Sequence, residues 1–272
     1  MEGKPPGRLL FKFREFDRNG YGHKMLADNE LYFPSPLTFN DPYDCAIPIL
    51  YYSGAAKPEV LEYFRDAAKN DLNFQPGPEA TERAFRNFAR RIPNDRAAAQ
   101  KKDLKRTRHV ASKMGIQCFC PYEDNRLMWA HYSKNHTGFA IGYKAIPLYF
   151  AVLKECRGAY GVCVEYQDNY PEIIPYRIKL SKDDSEWGRA FVVKHSHWEY
   201  EKEYRFIWPD GAKSKIIVPL NVFDRVIVGM RTPNQDIRRL VTILKDRGDN
   251  LPLYRAKQIF LSYDIEFEQL DY

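Results

Sequence analysis

Apolar and polar residues alternate over short stretches in the first and last parts of the chain. Residues 9–14, with the sequence LLFKFR, and residues 30–33 both alternate and predict β-strands. Prolines then interrupt residues 34–42, and we expect an irregular loop there because proline fixes φ and lacks an N–H donor. Further strands are predicted at 116–120, 138–143, 160–166, 204–208, 215–219, 225–229 and near 251–267.

Helical spacing of apolar residues dominates the stretch between these strands. It predicts helices at 58–72, 79–92, 95–114, 125–133, 185–195 and 233–247. Many short strands with few strand–helix–strand crossovers favour an α+β fold with a mixed, largely antiparallel sheet. We expect residues 1–272 to form a single α+β domain, with a helical insertion at about 55–114.

Composition excludes several classes of protein. The chain has 272 residues, 44% of them hydrophobic and 29% charged, a balance unlike that of disordered or collagen-like sequences. No apolar run approaches the ~20 residues that a membrane-spanning helix needs. The five cysteines form no C-x-x-C pair, and no histidine spacing completes a recognised metal motif. We therefore expect a cytoplasmic protein with no metal and no membrane partner.

Positive charge is concentrated in one segment. The whole chain carries a formal charge of +6, whereas residues 79–113 contain eleven Lys/Arg and four Asp/Glu, which gives 11 − 4 = +7. A basic helix can bind nucleic acid by neutralising phosphates, although a solvated helix face explains the same charges. The candidate nucleic-acid contacts are Lys101, Lys102, Lys105, Arg106 and Arg108.

The densest polar cluster covers residues 194–205, with the sequence KHSHWEYEKEYR. In an extended chain, Glu199, Glu201 and Glu203 would share one face with Arg205, and the aromatic residues would line the other face. Crowded carboxylates raise the pKa of one member, and such clusters are frequent at functional sites. The alternative is an exposed edge strand that its charges keep soluble.

Several motifs together resemble a widespread bacterial family of unknown function. They are K-x-R at 12–14, LYFPSP at 31–36, FNDP at 39–42, MWAHY at 128–132 and W-x-x-E-x-E-x-R at 198–205. Their order along the chain, and their spread over most of its length, support this resemblance.

A further resemblance is to the ADP-ribosyltransferases. One branch of that superfamily has an early Arg, a following Ser and a later E-x-E, and this chain has Arg14, Ser35 and the segment 201–203 in that order. Here prolines flank Ser35 in place of the S-T-S of that branch. The resemblance implies an enzyme that cleaves NAD and transfers ADP-ribose, in a defence or toxin setting.

The same resemblance implies roles for individual residues. Glu203 would stabilise the ribosyl cation and Glu201 would orient or activate the acceptor. The residues expected to contact NAD are Arg14 at the phosphate, Ser35 and Asn40 at the ribose or nicotinamide, and Tyr43 or Tyr132 at the ring. The alternatives are a nucleic-acid-binding or nuclease effector without NAD chemistry, and a non-catalytic interaction module.

Overall fold

The chain is divided into two compact units. A computed structural model describes residues 3–17, 20–54, 92–174 and 188–272, together with scattered positions between 58 and 90. The first unit comprises Met1–Thr38, Lys113–Tyr166 and Lys194–Tyr272, and the second comprises Phe39–Ser112 and Gln167–Val193. The helices predicted at 58–72 and 79–92 lie mostly outside the described residues, so the extent of the helical insertion stays a prediction.

Strands and helices are both abundant, which confirms the α+β class. The strands are β1 (Leu9–Arg14), β2 (Glu30–Phe33), β3 (Gly115–Phe119), β4 (Phe139–Lys144), β5 (Tyr160–Cys163), β6 (Glu165–Gln167), β7 (Val193–His195), β8 (Tyr204–Trp208), β9 (Ser214–Ile217), β10 (Phe223–Val228), β11 (Leu253–Gln258) and β12 (Ile265–Leu270). The α-helices are α1 (Tyr21–Ala27), α2 (Arg96–Lys113), α3 (Arg126–Tyr132), α4 (Ala145–Glu155), α5 (Arg189–Val192) and α6 (Asn234–Arg247). Short 3₁₀ helices cover Pro36–Thr38, Ser196–Glu201 and Leu220–Val222.

A five-stranded sheet forms the centre of the first unit. Its strand order is β1-β4-β10-β11-β12, and only the β10–β11 pair is parallel. Apolar side chains alternate between its faces, so Ile141 and Tyr143 join one buried cluster while Ala140 joins another with Trp129 of α3. Both faces of this sheet are therefore covered, which explains why β4 is almost entirely apolar.

A three-stranded antiparallel sheet, in the order β3-β8-β5, lies beside β1 in the same unit. Reciprocal backbone hydrogen bonds between Phe11 and Cys120 join β1 to the end of β3. On the central strand β8, Tyr204 and Phe206 enter the apolar core. Arg205 projects from the opposite face and is fully buried, so this face holds charge inside the protein.

The segment before β8 differs from the predicted extended strand. Residues Ser196–Glu201 form a 3₁₀ helix, and Lys202 takes a left-handed conformation with φ 45° before β8 begins. Glu199 consequently faces solvent and pairs with Lys202 at 2.7 Å, so the prediction of one shared face for all three glutamates is wrong. The helix predicted at 185–195 is also wrong at its end, because Val193–His195 is strand β7.

Helix α2 carries a polar buried face in the second unit. Its buried residues are Ala99, Asp103, Thr107 and Ala111. The Asp103 carboxylate accepts hydrogen bonds from the backbone N–H groups of Tyr52 (3.0 Å) and Ser53 (2.9 Å). This helix confirms the prediction for residues 95–114. Within the described part of the chain, no helix is both long and apolar enough to cross a membrane.

Candidate functional site

Two glutamates in the first unit share one buried lysine. Glu201 and Glu203 are 3% and 5% exposed, and Lys194 between them is 6% exposed. The Lys194 Nζ lies 2.6 Å from Glu201 Oε2 and 3.2 Å from Glu203 Oε2. Burying charges is costly unless they are paired, and a single ammonium pairs both carboxylates here. The exposed edge strand considered for this segment is therefore wrong.

Arg205 holds the second carboxylate in a bidentate pair. Its Nε donates to Glu203 Oε1 at 2.6 Å and its Nη2 donates to Oε2 at 3.0 Å. Burial alone would raise the pKa of Glu203, but the charges of Arg205 and Lys194 outweigh burial and hold that pKa well below its usual range. Glu203 is consequently a fixed negative charge at neutral pH.

Glu201 has the opposite electrostatic character. Burial raises the pKa of this carboxyl above its ordinary value, and the charge of Lys194 opposes the rise without cancelling it. The phenol of Tyr132 donates to Glu201 Oε1 at 2.5 Å. Burial and the neighbouring carboxylate raise the pKa of Tyr132, so the phenol keeps its proton and remains a donor. Glu201 is therefore the member of the pair that more readily accepts a proton.

Lys12 and Cys118 extend the cluster towards the surface. The Lys12 Nζ donates to the backbone carbonyl of Cys118 at 2.7 Å. Burial, helped by the charge of Arg14, lowers the pKa of Lys12 to about 7, and the charges of Glu203 and Glu201 partly offset this shift. A lysine pKa this far below the ordinary value of 10.5 is unusual.

Three aromatic side chains and Lys12 lie next to these charges. The Lys194 Nζ lies 4.8 Å from the centroid of the Trp198 ring, and the backbone N–H of Glu203 donates to the hydroxyl of Tyr166 at 2.8 Å. We call Lys194, Glu201, Glu203 and Arg205 the buried charge cluster. We call Lys12, Tyr132, Tyr166 and Trp198, which are all partly exposed, its rim. The buried charge cluster therefore has partly exposed side chains among its neighbours.

Of the residues predicted to form the site, the structure joins Glu201, Glu203 and Tyr132. Arg14 ends β1, where its Nε donates to the sulfur of Met25 at 3.4 Å. Ser35 is buried, and its Oγ accepts from the backbone N–H of Leu37 at 3.3 Å, as in a turn. Both residues belong to the first unit, and their predicted roles stay predictions.

Asn40 and Tyr43 lie in the second unit, and both are exposed. The backbone N–H of Tyr43 donates to Asp41 Oδ1 at 2.9 Å, an Asx-turn that shapes the proline-rich loop. Their predicted contacts with the ribose, the nicotinamide amide or the ring stay predictions.

The basic residues predicted on α2 divide into two groups. Lys102 and Arg106 lie over the rings of Tyr52 and Tyr51, at 4.5 Å and 3.9 Å from the ring centroids. The other three, Lys101, Lys105 and Arg108, are exposed and share one face of the helix.

Sequence analysis did not assign Lys12 or Lys194 to the site. Lys194 is the first residue of the polar segment and Lys12 belongs to the K-x-R motif. The sequence alone does not show that either lysine lies near the two glutamates. In the described ranges, no group of three or more His, Cys, Asp or Glu side chains is placed to hold a metal ion.

Comparison with known families bears directly on this cluster. A family model described as a protein of unknown function (DUF2971) matches residues 128–206, a range that contains Tyr132 and the whole buried charge cluster. No curated protein matches the chain, and no solved structure does. Residues 128–206 are thus similar to a domain of unknown function, as the resemblance of the motifs indicated, while the motifs before residue 128 lie outside the match.

Proposed function

We propose that the first unit is an ADP-ribosyltransferase-like enzyme that cleaves NAD and transfers ADP-ribose to an acceptor. One observation carries the proposal: two neighbouring buried glutamates share the Lys194 ammonium, at 2.6 Å and 3.2 Å, while only Glu203 is also held by Arg205, and these surroundings shift their pKa values in opposite directions. In many enzymes, two carboxyl groups whose pKa values differ in this way have different roles: one stays ionised and the other exchanges a proton.

The two carboxyls match the two needs of the reaction. The bond between ribose C1′ and the nicotinamide nitrogen breaks, its electron pair leaves with nicotinamide, and a cationic ribosyl centre develops. The fixed charge of Glu203 would stabilise that cation. Glu201 would accept the proton that the acceptor loses as its oxygen or nitrogen bonds to C1′.

The rim provides the side from which NAD would approach. Tyr132 is partly exposed and already bonded to Glu201, which suits it to a place beside the nicotinamide ring. Arg14 keeps its proposed role at the diphosphate, because guanidinium binds phosphate oxygens in a bidentate manner. NAD is a substrate in this proposal.

Nicotinamide release from NAD, followed by chromatography, tests the proposal. We expect Glu203→Gln to lower the rate about 100-fold or more, because neutralising the fixed charge removes the stabilisation of the cation. Glu201→Gln should slow transfer to an added acceptor about 100-fold. Glu199→Gln is the matched control, since Glu199 is an exposed glutamate of the same segment whose ion pair within the described part of the chain is with Lys202 at the surface.

Circular dichroism of each variant separates loss of chemistry from loss of folding. The proposal is wrong if the wild-type protein releases no nicotinamide with water or any offered acceptor. It is equally wrong if folded Glu203→Gln keeps the wild-type rate, or if Glu199→Gln loses as much activity as the two buried variants.

A second candidate function is nucleic-acid binding. The observation that favours it is the exposed face of α2, where Lys101, Lys105 and Arg108 follow an i, i+4, i+7 spacing. In the combined hypothesis, nucleic acid is the acceptor of ADP-ribose; in the alternative, binding occurs without NAD chemistry. A cytoplasmic location and a role in defence stay predictions that accompany either function.

A further inference from the structure

A cavity of about 380 Å³ lies in the first unit, apart from the buried charge cluster. Its walls come from α3, the loop that follows α3, the segment after β10 and the hairpin between β11 and β12. None of its lining residues belongs to the charge cluster or its rim. The volume falls in the range of small-molecule sites, which is roughly 300–1,000 Å³.

Positive charge predominates on the cavity wall. Arg126 and Arg231 both line it, against the single carboxylate of Asp264. That carboxylate already accepts a hydrogen bond from Ser262 Oγ at 2.7 Å within the hairpin. Arg126 donates Nη1 to the carbonyl of Tyr263 at 2.7 Å, which leaves its other N–H groups for a ligand. The wall is thus suited to an anionic group.

His136 packs its ring on Trp129, with the two ring centroids 6.1 Å apart. It lines the cavity, and its Nδ1 is buried without a hydrogen-bond partner among the described residues. Buried polar atoms are rarely left unpaired, because the lost hydration costs about 1–3 kcal/mol. Because Nδ1 has almost no accessible surface, a molecule in the cavity does not reach it in this conformation, and the case for a ligand rests on the cavity and its two arginines.

The backbone on this wall is held in a strained conformation. Lys134, Asn135 and His136 are consecutive non-glycine residues with φ of 51°, 58° and 67°. The carbonyl of His136 packs so closely on Gly229 that a Cβ there would approach its oxygen to 2.2 Å. Such strain persists only where the surroundings enforce it, and it is concentrated at ligand sites.

We propose that this cavity is a second ligand site that binds a nucleoside monophosphate or a closely similar phosphorylated molecule. The phosphate lies with Arg126 and Arg231, because guanidinium groups bind phosphate oxygens in pairs. The amide of Asn135 and the Oε1 of Gln258, whose Nε2 already donates to the carbonyl of Ser262 at 3.1 Å, suit the polar edge of a base. The ring of Tyr263, which is 83% exposed, offers a stacking surface.

Isothermal titration calorimetry of the full chain with adenosine 5′-monophosphate (AMP) tests this site. We expect AMP to bind at least tenfold more tightly than either adenosine or inorganic phosphate, because each of these lacks half of the contacts. Arg231→Gln should weaken AMP binding about tenfold, which is the loss of one charge-assisted hydrogen bond. Tyr263→Leu should weaken AMP binding but leave phosphate binding unchanged.

Matched controls separate this site from general charge and from the proposed NAD site. Arg238→Gln changes an exposed arginine of α6 outside the cavity and should leave AMP binding unchanged. Nicotinamide release should be unaffected by Arg231→Gln, so failure of the NAD proposal and failure of this one are distinguishable.

Four outcomes would overturn the second site. The first is that AMP does not bind the wild-type protein, and the second is that Arg231→Gln and Arg238→Gln weaken AMP binding equally. The third is that AMP binding is lost in Glu203→Gln but not in Arg231→Gln. The fourth is that phosphate binds as tightly as AMP. The last outcome would reduce the cavity to a simple anion site.

Discussion

At the scale of single residues, Lys194 has the greatest influence on the buried charge cluster. Two cations, Lys194 and Arg205, balance the two carboxylates of Glu201 and Glu203 inside the protein. Replacing a balanced buried set by apolar residues can be neutral, whereas removing one member leaves a buried charge unpaired. Lys194 is the member that touches both carboxylates, so its loss unbalances both.

We therefore expect Lys194→Met to lower the free energy of unfolding by about 3 kcal/mol at pH 7. Urea denaturation followed by circular dichroism measures this change. Lys202→Met is the control, because Lys202 pairs with Glu199 at 2.7 Å with a side chain that is 48% exposed. Exposed pairs contribute little, and the control should lose less than about 1 kcal/mol.

The loss of unfolding free energy in Lys194→Met should also depend on pH. The depressed pKa of Glu203 stabilises the native protein above the unfolded value of 4.5, and this stabilisation disappears as the pH falls through the native pKa. Glu201 already has a raised pKa, and without Lys194 it binds a proton at still higher pH. The destabilisation by Lys194→Met should shrink as the pH falls from 7 towards 4.5, and a loss independent of pH would contradict this account.

At the scale of elements, α2 shows how polar residues can anchor a helix. Asp103 is fully buried and accepts hydrogen bonds from Tyr52 and Ser53, while Thr107 Oγ1 accepts from the N–H of Ile49 at 3.0 Å. These side chains satisfy backbone donors of a segment that forms no regular strand there. The helix is thus fixed by hydrogen bonds to backbone as much as by apolar contact.

Asp103→Ala should lower the free energy of unfolding by about 3 kcal/mol or more, because it leaves several buried donors without an acceptor. Asp95→Ala, at the start of the same helix, removes an exposed cap on Ala98 N–H at 2.9 Å and should cost about 1 kcal/mol. Thermal and urea unfolding of the two variants compares them directly. Equal losses would show that Asp103 does not anchor the helix.

Much of the element order could be predicted from the spacing of apolar residues, and several elements could not. Helices α1 and α4 were not predicted. An internal proline normally breaks a helix, but Pro147 occupies the first turn of α4, where its missing N–H has no partner to lose. Residues 196–201 alternate like a strand, yet tertiary contacts override that local preference. The pairing of Lys194 with Glu201 needs the chain to turn back on itself between them.

The candidate site was predictable only in part. Crowding along one segment indicates that Glu201 and Glu203 are unusual, whichever way the chain folds. Lys12 is different, because it belongs to β1 and meets the glutamates only through the contact of β1 with β3 and of β3 with β8. Contact between side chains on different strands depends on strand order and register. The spacing of residues along one sequence does not reveal either of these.

At the scale of the whole molecule, the uneven distribution of charge predicts a salt-dependent interaction. The stretch 79–113 carries +7 while the rest of the chain sums to −1. Within the described part of that stretch, Lys101, Lys105 and Arg108 lie on one exposed face of α2. Contacts with phosphates release counterions, so binding weakens steeply as salt increases.

If nucleic acid binds there, changing Lys101, Lys105 and Arg108 to Gln together should lower the slope of log K against log salt by about 2 to 3. Fluorescence polarisation with labelled single-stranded RNA and duplex DNA measures the slope. A control triple, Lys154→Gln, Arg238→Gln and Lys245→Gln, removes equal charge from exposed positions of the first unit. The same change in both triples would exclude a specific α2 surface.

The order of strands in the five-stranded sheet has a consequence for synthesis on the ribosome. Strands β1 and β4 are both synthesised before β10, and β4 obtains its second neighbour only from β10, at Phe223–Val228. Until that segment emerges, a strongly apolar strand has one open edge, and open edges promote association between nascent chains. Crowded polysomes and slow translation of the last third of the message would therefore favour aggregation, and a chaperone that covers β4 would relieve it.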